Sequence, residues 1–479
     1  MREFLWDPVE DVMNDSLLRI VDPGPLRTPI NSFVVRRDAD LRLVMETQIA
    51  QDAVSRVAEY PSGTLRRNDA VLRWDNGFGF QVIGKGVLSH GHQSSNDYLR
   101  GKHSASESSS IHSIEATFVN TEAPAYTIDW LENVDDGWYF WPHFIKLQKT
   151  VTEIRAIGPG PVDLTITDHD VQESSSSQCV RIQVGDREVH LCAKWIKSGG
   201  LRKPGCLIYR STPDEETQER IRNVLSFSLG IFLVSLGHTV YSANWNKVSF
   251  KSVSPYSIRG RIFELPVMPP ALLAMRSYNE IEAARLNRIA SALYAAYDEL
   301  GFGDLNWGFW HARCATPHIA PVHFGAIIEA LRRVCADRLA GEIATKIVDD
   351  NKEWGTFTDD VKLLVEKLGI SEDKKAHLRN AVGLMNSMPH RAVMESILTQ
   401  LKLQLGKNEG QAWRRRNDAA HGRAIPMGSE LEAIQDTKLL RGLFDRMLLR
   451  LVNASDVYID YSTPGHPIRP PADPPTRSS

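Results

Sequence analysis

The sequence predicts an α+β protein: a β-rich N-terminal domain over residues 1–265, an α-helical domain over 266–460, and a disordered tail over 461–479. Three observations predict it. Apolar residues in the first half come in short runs broken by Gly and Asn-Gly, the pattern of strands and turns. Met268-Pro269-Pro270 then interrupts the chain, and beyond it apolar residues recur at helical spacing. With 479 residues the chain also exceeds what one core normally serves.

Composition narrows the function classes. Hydrophobic residues make up 42% and charged residues 24%, as in ordinary globular proteins. A net charge of -3 argues against a globally basic nucleic-acid binder, though it leaves room for a local basic patch. Met1-Arg2-Glu3-Phe4 opens without the apolar core of a signal peptide. The most apolar stretch, Val224 to Val240, is interrupted by Ser226, Ser228, Ser235 and His238, so no membrane span is expected. Five dispersed cysteines predict unpaired thiols in a reducing compartment, hence the cytoplasm.

In the first half, residues 41–50 and 71–88 read as strands. Between Ser89 and Ser113 the chain is rich in serine and carries His90, His92, His103 and His112, which predicts a polar surface loop rather than a metal site. Trp130, Trp138, Tyr139, Phe140 and Trp141 form an aromatic knot expected in a core. Val180 to Trp195 alternates on both sides of Gly185-Asp186 and predicts a hairpin. Cys179, Cys192 and Cys206 are spaced too widely for a zinc knuckle. After Pro213 the pattern turns helical through Leu225-Ser226-Phe227-Ser228-Leu229-Gly230, and a second hairpin is expected near Thr239 to Val253.

In the second half, Ile281, Arg285, Ile289 and Leu293 lie along one helix. Phe324, Ile327, Ile328, Leu331, Val334, Cys335 and Leu339 predict a bundle helix. Val361, Leu364, Val365 and Leu368 repeat the pattern up to Gly369, Ser371 caps the next helix, and Met394, Ile397, Leu398, Leu401 and Leu405 form another stripe. Ser429 to Glu432 reads as a capping box for the last helix, whose buried face holds Leu440, Leu443, Phe444, Met447, Leu448 and Leu451. From Thr463 the chain is Pro-rich, which predicts disorder.

The stretch richest in chemistry is Ala412-Trp413-Arg414-Arg415-Arg416-Asn417-Asp418-Ala419-Ala420-His421-Gly422. On a helix, Asn417 and His421 share a face, Arg416 reaches the same pocket, and Gly422 stops the helix. An arginine, an amide and an imidazole at a helix end suit chemistry on a phosphodiester. Arg313 and His318 repeat the spacing, but Pro317 directly before the histidine breaks that helix. Arg416-Asn417, three residues and then His421-Gly422 resembles the signature of HEPN ribonucleases. The strand-rich first half with Leu225 to Gly230 resembles ApeA-like HEPN proteins, a bacterial anti-phage group.

That resemblance implies a metal-independent endoribonuclease without cofactor, cleaving cellular RNA such as tRNA by attack of the ribose 2′-OH. It assigns His421 to proton transfer or 2′-OH orientation, Arg416 to the phosphate, and Asn417 to orienting one of them. Arg414, Arg415 and Arg423 would add positive potential for the RNA backbone. Residues 1–265 would sense a phage-derived trigger. Ala419 and Ala420 are small enough for motif helices to pair in a homodimer. The sequence also admits a structural reading, with Arg414 to Arg416 a solvated face and His421 a polar cap. A non-catalytic HEPN module binding RNA or nucleotide, or an adaptor, would follow from it.

Overall fold

The computed structural model describes residues 7–55, 71–97, 102–119, 122–134, 144–156, 164–176, 179–193, 205–255, 283–420, 426 and 428–475. The chain divides into two compact units: residues 1–226, 231–267 and 273–290 form one, and 227–230, 268–272 and 291–479 the other. As expected, a large antiparallel β region is followed by a helical region. The two units interleave along the chain, and residues 283–290 of the first helix described after the strands count with them: Asn287 Oδ1 accepts the backbone N–H of Gln183 at 2.8 Å. Helical periodicity marks where coiling begins, not which core the coil joins.

The first unit opens with a short helix α1 (Val9–Met13) and the strands β1 (Arg19–Asp22), β2 (Arg27–Arg37), β3 (Leu43–Ser55), β4 (Val71–Asp75) and β5 (Gln81–Lys85). There follow β6 (Leu88–Asp97), β7 (Lys102–Ile111), β8 (Ser113–Thr117) and β9 (Pro124–Leu131). Next come β10 (Phe144–Ala156), β11 (Leu164–Ser176), β12 (Cys179–Val184), β13 (Arg187–Ala193) and β14 (Gly205–Tyr209). Helix α2 (Glu215–Leu229) precedes β15 (Ser235–Ser242) and β16 (Lys247–Val253). Ten strands make one antiparallel sheet, in the order β1-β4-β5-β8-β16-β15-β9-β14-β13-β12. A second sheet runs β2-β3-β7-β6, and β10 pairs with β11.

Both expected hairpins are present, β12–β13 and β15–β16. Gly185 takes φ +63°, which a two-residue hairpin turn demands of its first central residue. The expected loop over 89–113 is a correction: it is the β6–β7 hairpin. Strand β7 is paired on both sides, by β3 and β6, with Ala105, Glu107 and Ser109 buried. Ladder pairing outweighs the weak β propensity of serine. The side chains of His90, His92 and His103 lie outside the described ones, as do residues 138–141 of the aromatic knot.

Trp74 fills the core of this unit and lies over Gly84 of β5, where a Cβ would meet its ring at 2.8 Å. A buried ion pair, Arg37–Asp7, ties the chain's start to the sheet. Arg37 also donates to the carbonyls of Leu41, Leu236 and Val253, so the charge is fully hydrogen-bonded.

The second unit contains α3 (Ala283–Ala295) in part, α4 (Tyr297–Leu300), α5 (Phe302–Cys314) and α6 (Ala320–Arg338). Then follow α7 (Asn351–Glu366), α8 (Glu372–Leu384), α9 (His390–Gln400), α10 (Lys407–Ala420) and α11 (Glu430–Leu451). Helix α6 is central, packing against α5, α9, α10 and α11. Phe227, which counts with this unit, stands edge-on to Phe302, Phe309 and Phe444.

The buried face expected on α11 is present throughout. Ser429 stands at the N-cap of that helix without a side-chain hydrogen bond, and Glu432, its expected capping-box partner, pairs with Arg415 at 2.9 Å. Ser371 likewise makes no side-chain cap, whereas Asp350 caps α7 through Lys352 and Glu353 N–H. The stripe on α7 is mostly open: Val365 is buried, but Leu364 is 61% exposed, and Phe357 and Leu368 are exposed too.

The disordered tail is also corrected. Two short strands, β17 (Tyr458–Ile459) and β18 (Ile468–Arg469), pair, and Arg469 binds Asp460 at 2.9 Å. The fully buried Arg446 donates to Pro471 O at 2.7 Å and to Gln404 O at 2.8 Å, and pairs with the equally buried Glu409 at 2.7 Å. Proline's missing N–H suits a segment held by its carbonyls.

Candidate functional site

The motif sits on α10, which rests on α6 and α11. Glu409 anchors its first turn, accepting from Gly406 N–H and Arg446, and Ala412 is buried. This leaves the three consecutive arginines one hundred degrees apart around the helix, and each has a different fate.

Arg415 turns to α11. Its guanidinium grips Asp436 with two bonds, at 2.7 and 2.5 Å, and reaches Glu432. It staples two helices, and its charge is committed to two carboxylates. Arg414 is exposed and donates to Gly410 O at 3.2 Å. Of the three it alone matches a solvated face.

Arg416 turns to α6. Its side chain is 12% exposed, so it is not an open pocket residue. Nη2 donates to Glu329 Oε1 at 2.9 Å, and the guanidinium lies 3.9 Å from the centre of the Trp413 ring. This approach depends on Gly325, where a Cβ would stand 2.5 Å from Arg416 Cδ and 2.8 Å from Nη1. The Nε of Arg416 is buried and has no hydrogen-bond partner among the described residues.

Glu329 is the node of the site. Its second oxygen accepts from Arg332 Nε at 2.7 Å, and Arg332 Nη2 lies 3.2 Å from Nδ1 of His390 at the start of α9. Burial raises the Glu329 carboxyl, but hydrogen bonds from Arg332 and Arg416 outweigh it and hold the group below the usual carboxylate range. One carboxylate between two guanidiniums leaves an excess positive charge, beside an imidazole that is 79% exposed. Glu329, Arg332, His390 and Trp413 were not singled out from the sequence. Only the Glu329–Arg332 spacing of three, a helical ion pair, signalled any of them.

Helix α10 is described to Ala420, one residue short of His421. His421, Gly422 and Arg423 lie outside the described residues, as does the side chain of Asn417, so the structure does not place them against Arg416. The alternative pair is separated: α5 ends at Cys314, Ala315 is extended, and His318 is exposed on the turn after Pro317.

Within the first unit a groove of about 590 Å³ is lined by Glu115, Phe118, Glu215, His238, Phe250 and Lys251. Lys251 pairs with Glu215 at 2.6 Å, and burial lowers the His238 imidazole below its ordinary value. Among the described residues no three His, Cys, Asp or Glu side chains converge as a metal site, and no helix is long and apolar enough to cross a membrane. Comparison with protein-family profiles, with curated proteins and with solved structures returns no match.

Proposed function

We propose that this chain is a metal-independent HEPN-type endoribonuclease that cleaves cellular RNA, tRNA among the candidates, in cytoplasmic anti-phage defence of the abortive-infection kind. The observation that carries the proposal is the Arg416–Glu329–Arg332 cluster, whose Arg416 lies five residues before His421 on the chain. A guanidinium committed to a carboxylate can still serve a phosphate if that carboxylate keeps another partner. Here Arg332 holds Glu329 while Arg416 exchanges one oxyanion for another. In this scheme His421 takes the proton of the 2′-OH or orients it, Asn417 aligns the reacting groups, and Arg416 meets the charge growing on the pentavalent phosphorus. The cyclic 2′,3′-phosphate forms as the bond to the 5′ oxygen breaks, and that oxygen takes up a proton from water. Arg414 and Arg423 would draw the RNA backbone in; Arg415, held by Asp436 and Glu432, contributes less.

A second copy belongs to the same proposal. Helix α7 and the turn that follows it leave Phe357, Leu364 and Leu368 open at heptad spacing, flanked by Asp360 and Lys367, seven residues apart. Two such helices meeting antiparallel about a two-fold axis would set each Asp360 against the other copy's Lys367. Leu364→Glu should then give a monomer in solution scattering, where the unaltered chain is a dimer. The first unit is proposed as the sensor of a phage-derived trigger, its groove offering a polar recognition surface.

The competing reading, a non-catalytic RNA-binding or adaptor module, is favoured by one fact: Arg416 is largely enclosed and ion-paired, as a structural arginine would be. Incubation of the purified chain with tRNA separates the two. Cleavage in excess EDTA that leaves 5′-hydroxyl ends and is lost in His421→Ala supports the enzyme; intact tRNA under activating conditions, or cleavage unchanged in His421→Ala, overturns it.

A further inference from the structure

Three cysteines that lie 13 and 14 positions apart in the chain stand in one row across the first unit's sheet. Strands β12, β13 and β14 are consecutive neighbours at its end; Cys179 is opposite Cys192, and Cys192 is opposite Cys206. Directly opposed residues of an antiparallel pair share a face, with Cα atoms about 4.5–5.5 Å apart, inside the span a disulfide bridges. Cys179 Sγ and Cys192 Sγ are already 2.9 Å apart, and all three are free thiols. The row continues into Trp130 on β9, opposite Cys206.

The three thiols are not equivalent. Cys179 begins the edge strand β12, and the hydrogen bond it shares with Cys192 lowers its thiol below the ordinary value. Cys192 shares that bond and lies between two other sulfurs, which raises its thiol above the ordinary value. Cys335, inside the helical unit, shows the contrast: burial pushes it up to about 12 against the pull of Arg338. Cys179 is buried as well, at 7% exposure, and differs from Cys335 in having a sulfur partner that favours the thiolate, the nucleophilic form.

We propose that Cys179, Cys192 and Cys206 form a redox relay, in which Cys179 reacts with a hydroperoxide and Cys192 closes a cross-strand disulfide that Cys206 can take over. The Cys179 thiolate attacks the peroxide; an S–O bond forms as the O–O bond breaks, and the leaving alkoxide or hydroxide takes up a proton. Cys192 sulfur then attacks Cys179 sulfur, the S–S bond forms, and the S–O bond breaks as water leaves with the Cys192 proton. Two electrons pass from two thiols to one peroxide. Attack by Cys206 on Cys192 next forms the inner disulfide and returns Cys179 as thiolate, with no net oxidation.

The test uses the full chain treated with hydrogen peroxide, alkylated and mapped by peptide mass. The native chain should lose two of its five alkylatable thiols, with the bond found at Cys179–Cys192 or Cys192–Cys206, and dithiothreitol should restore both. Cys179→Ala should slow oxidation at least tenfold. Cys192→Ser, which keeps a hydrogen-bonding side chain beside Cys179, should form no disulfide and leave a sulfenic acid on Cys179 that dimedone traps; Cys192→Ala should form no disulfide. Trp130 fluorescence in the native chain should fall as the inner bond forms. Five alkylatable thiols after peroxide, oxidation as fast at Cys335 as at Cys179, or a disulfide persisting in folded Cys192→Ala would each overturn the relay. None of these readings depends on RNA cleavage.

Discussion

Two segments of this chain carry an arginine and a histidine five positions apart, and the fold treats them differently. Arg313 lies at the last turn of α5, after which Ala315 is extended and His318 sits exposed on a turn. Its guanidinium faces inward, 5.0 Å from the Trp310 ring centre and bonded to Gly230 O at 3.3 Å. Arg416 lies within α10, continuous to Ala420, and its guanidinium joins Glu329 and Arg332. Spacing becomes geometry only where the intervening backbone is helical, and Pro317 removes that condition from the first pair. The difference teaches that a short motif is read by its backbone before its residue types.

The largest effect that would break this comparison is on turnover. His421→Ala should lower RNA cleavage by roughly two to four orders of magnitude, the range of a proton-transfer residue. His318→Ala should leave it unchanged in the same assay. Equal loss in both variants would mean that the two segments are functionally alike.

Next comes pH, through the carboxylate that Arg313 faces. The Asp445 carboxyl is fully enclosed, and burial pushes it up to about 7 from 3.8, against the pull of Arg441 and Arg313. The folded chain therefore keeps a proton there that the unfolded chain releases. On this group's account, stability is full below about pH 4 and is lost as pH rises to about 7. Asp445→Asn should flatten that slope in thermal melts and leave the variant more stable at pH 8, by on the order of a few kcal/mol. Arg313→Ala should move the loss to higher pH, whereas Arg416→Ala should not.

Gly325→Ala sharpens the Arg416 side. The added methyl collides with Cδ and the guanidinium, so it should cost about 1–3 kcal/mol in denaturant melts. It should also depress cleavage by displacing Arg416 from Glu329. Wild-type activity in this variant would show that the pose of Arg416 is irrelevant to chemistry. The smallest effect is expected at Arg414, exposed beside them. Arg414→Ala should change stability by less than about 0.5 kcal/mol and weaken RNA binding mainly at low salt.

Much of the fold was legible because local rules produce it. The hairpin at Gly185-Asp186 follows from a two-residue turn between alternating strands, and the buried face of α11 follows from its period. Ser89 to Ser113 was misread because serine marks loops only where no ladder claims the backbone. Strand β7 is claimed from both sides.

By itself the sequence determined the order of strand-rich and helical regions, the helix that carries Arg416, and the break between Arg313 and His318. Each is decided within a few residues by backbone preference and by the period of apolar side chains. Tertiary structure alone decided the partners. It brought Glu329 to Arg416 across 87 positions and held the Pro-rich end on Arg446. It left Leu364 open on a helix of the expected period, and aligned Cys179, Cys192 and Cys206 in one row. Pairing between distant segments depends on which faces pack and in what register, and those are properties of the assembled layers that no local run of residues encodes.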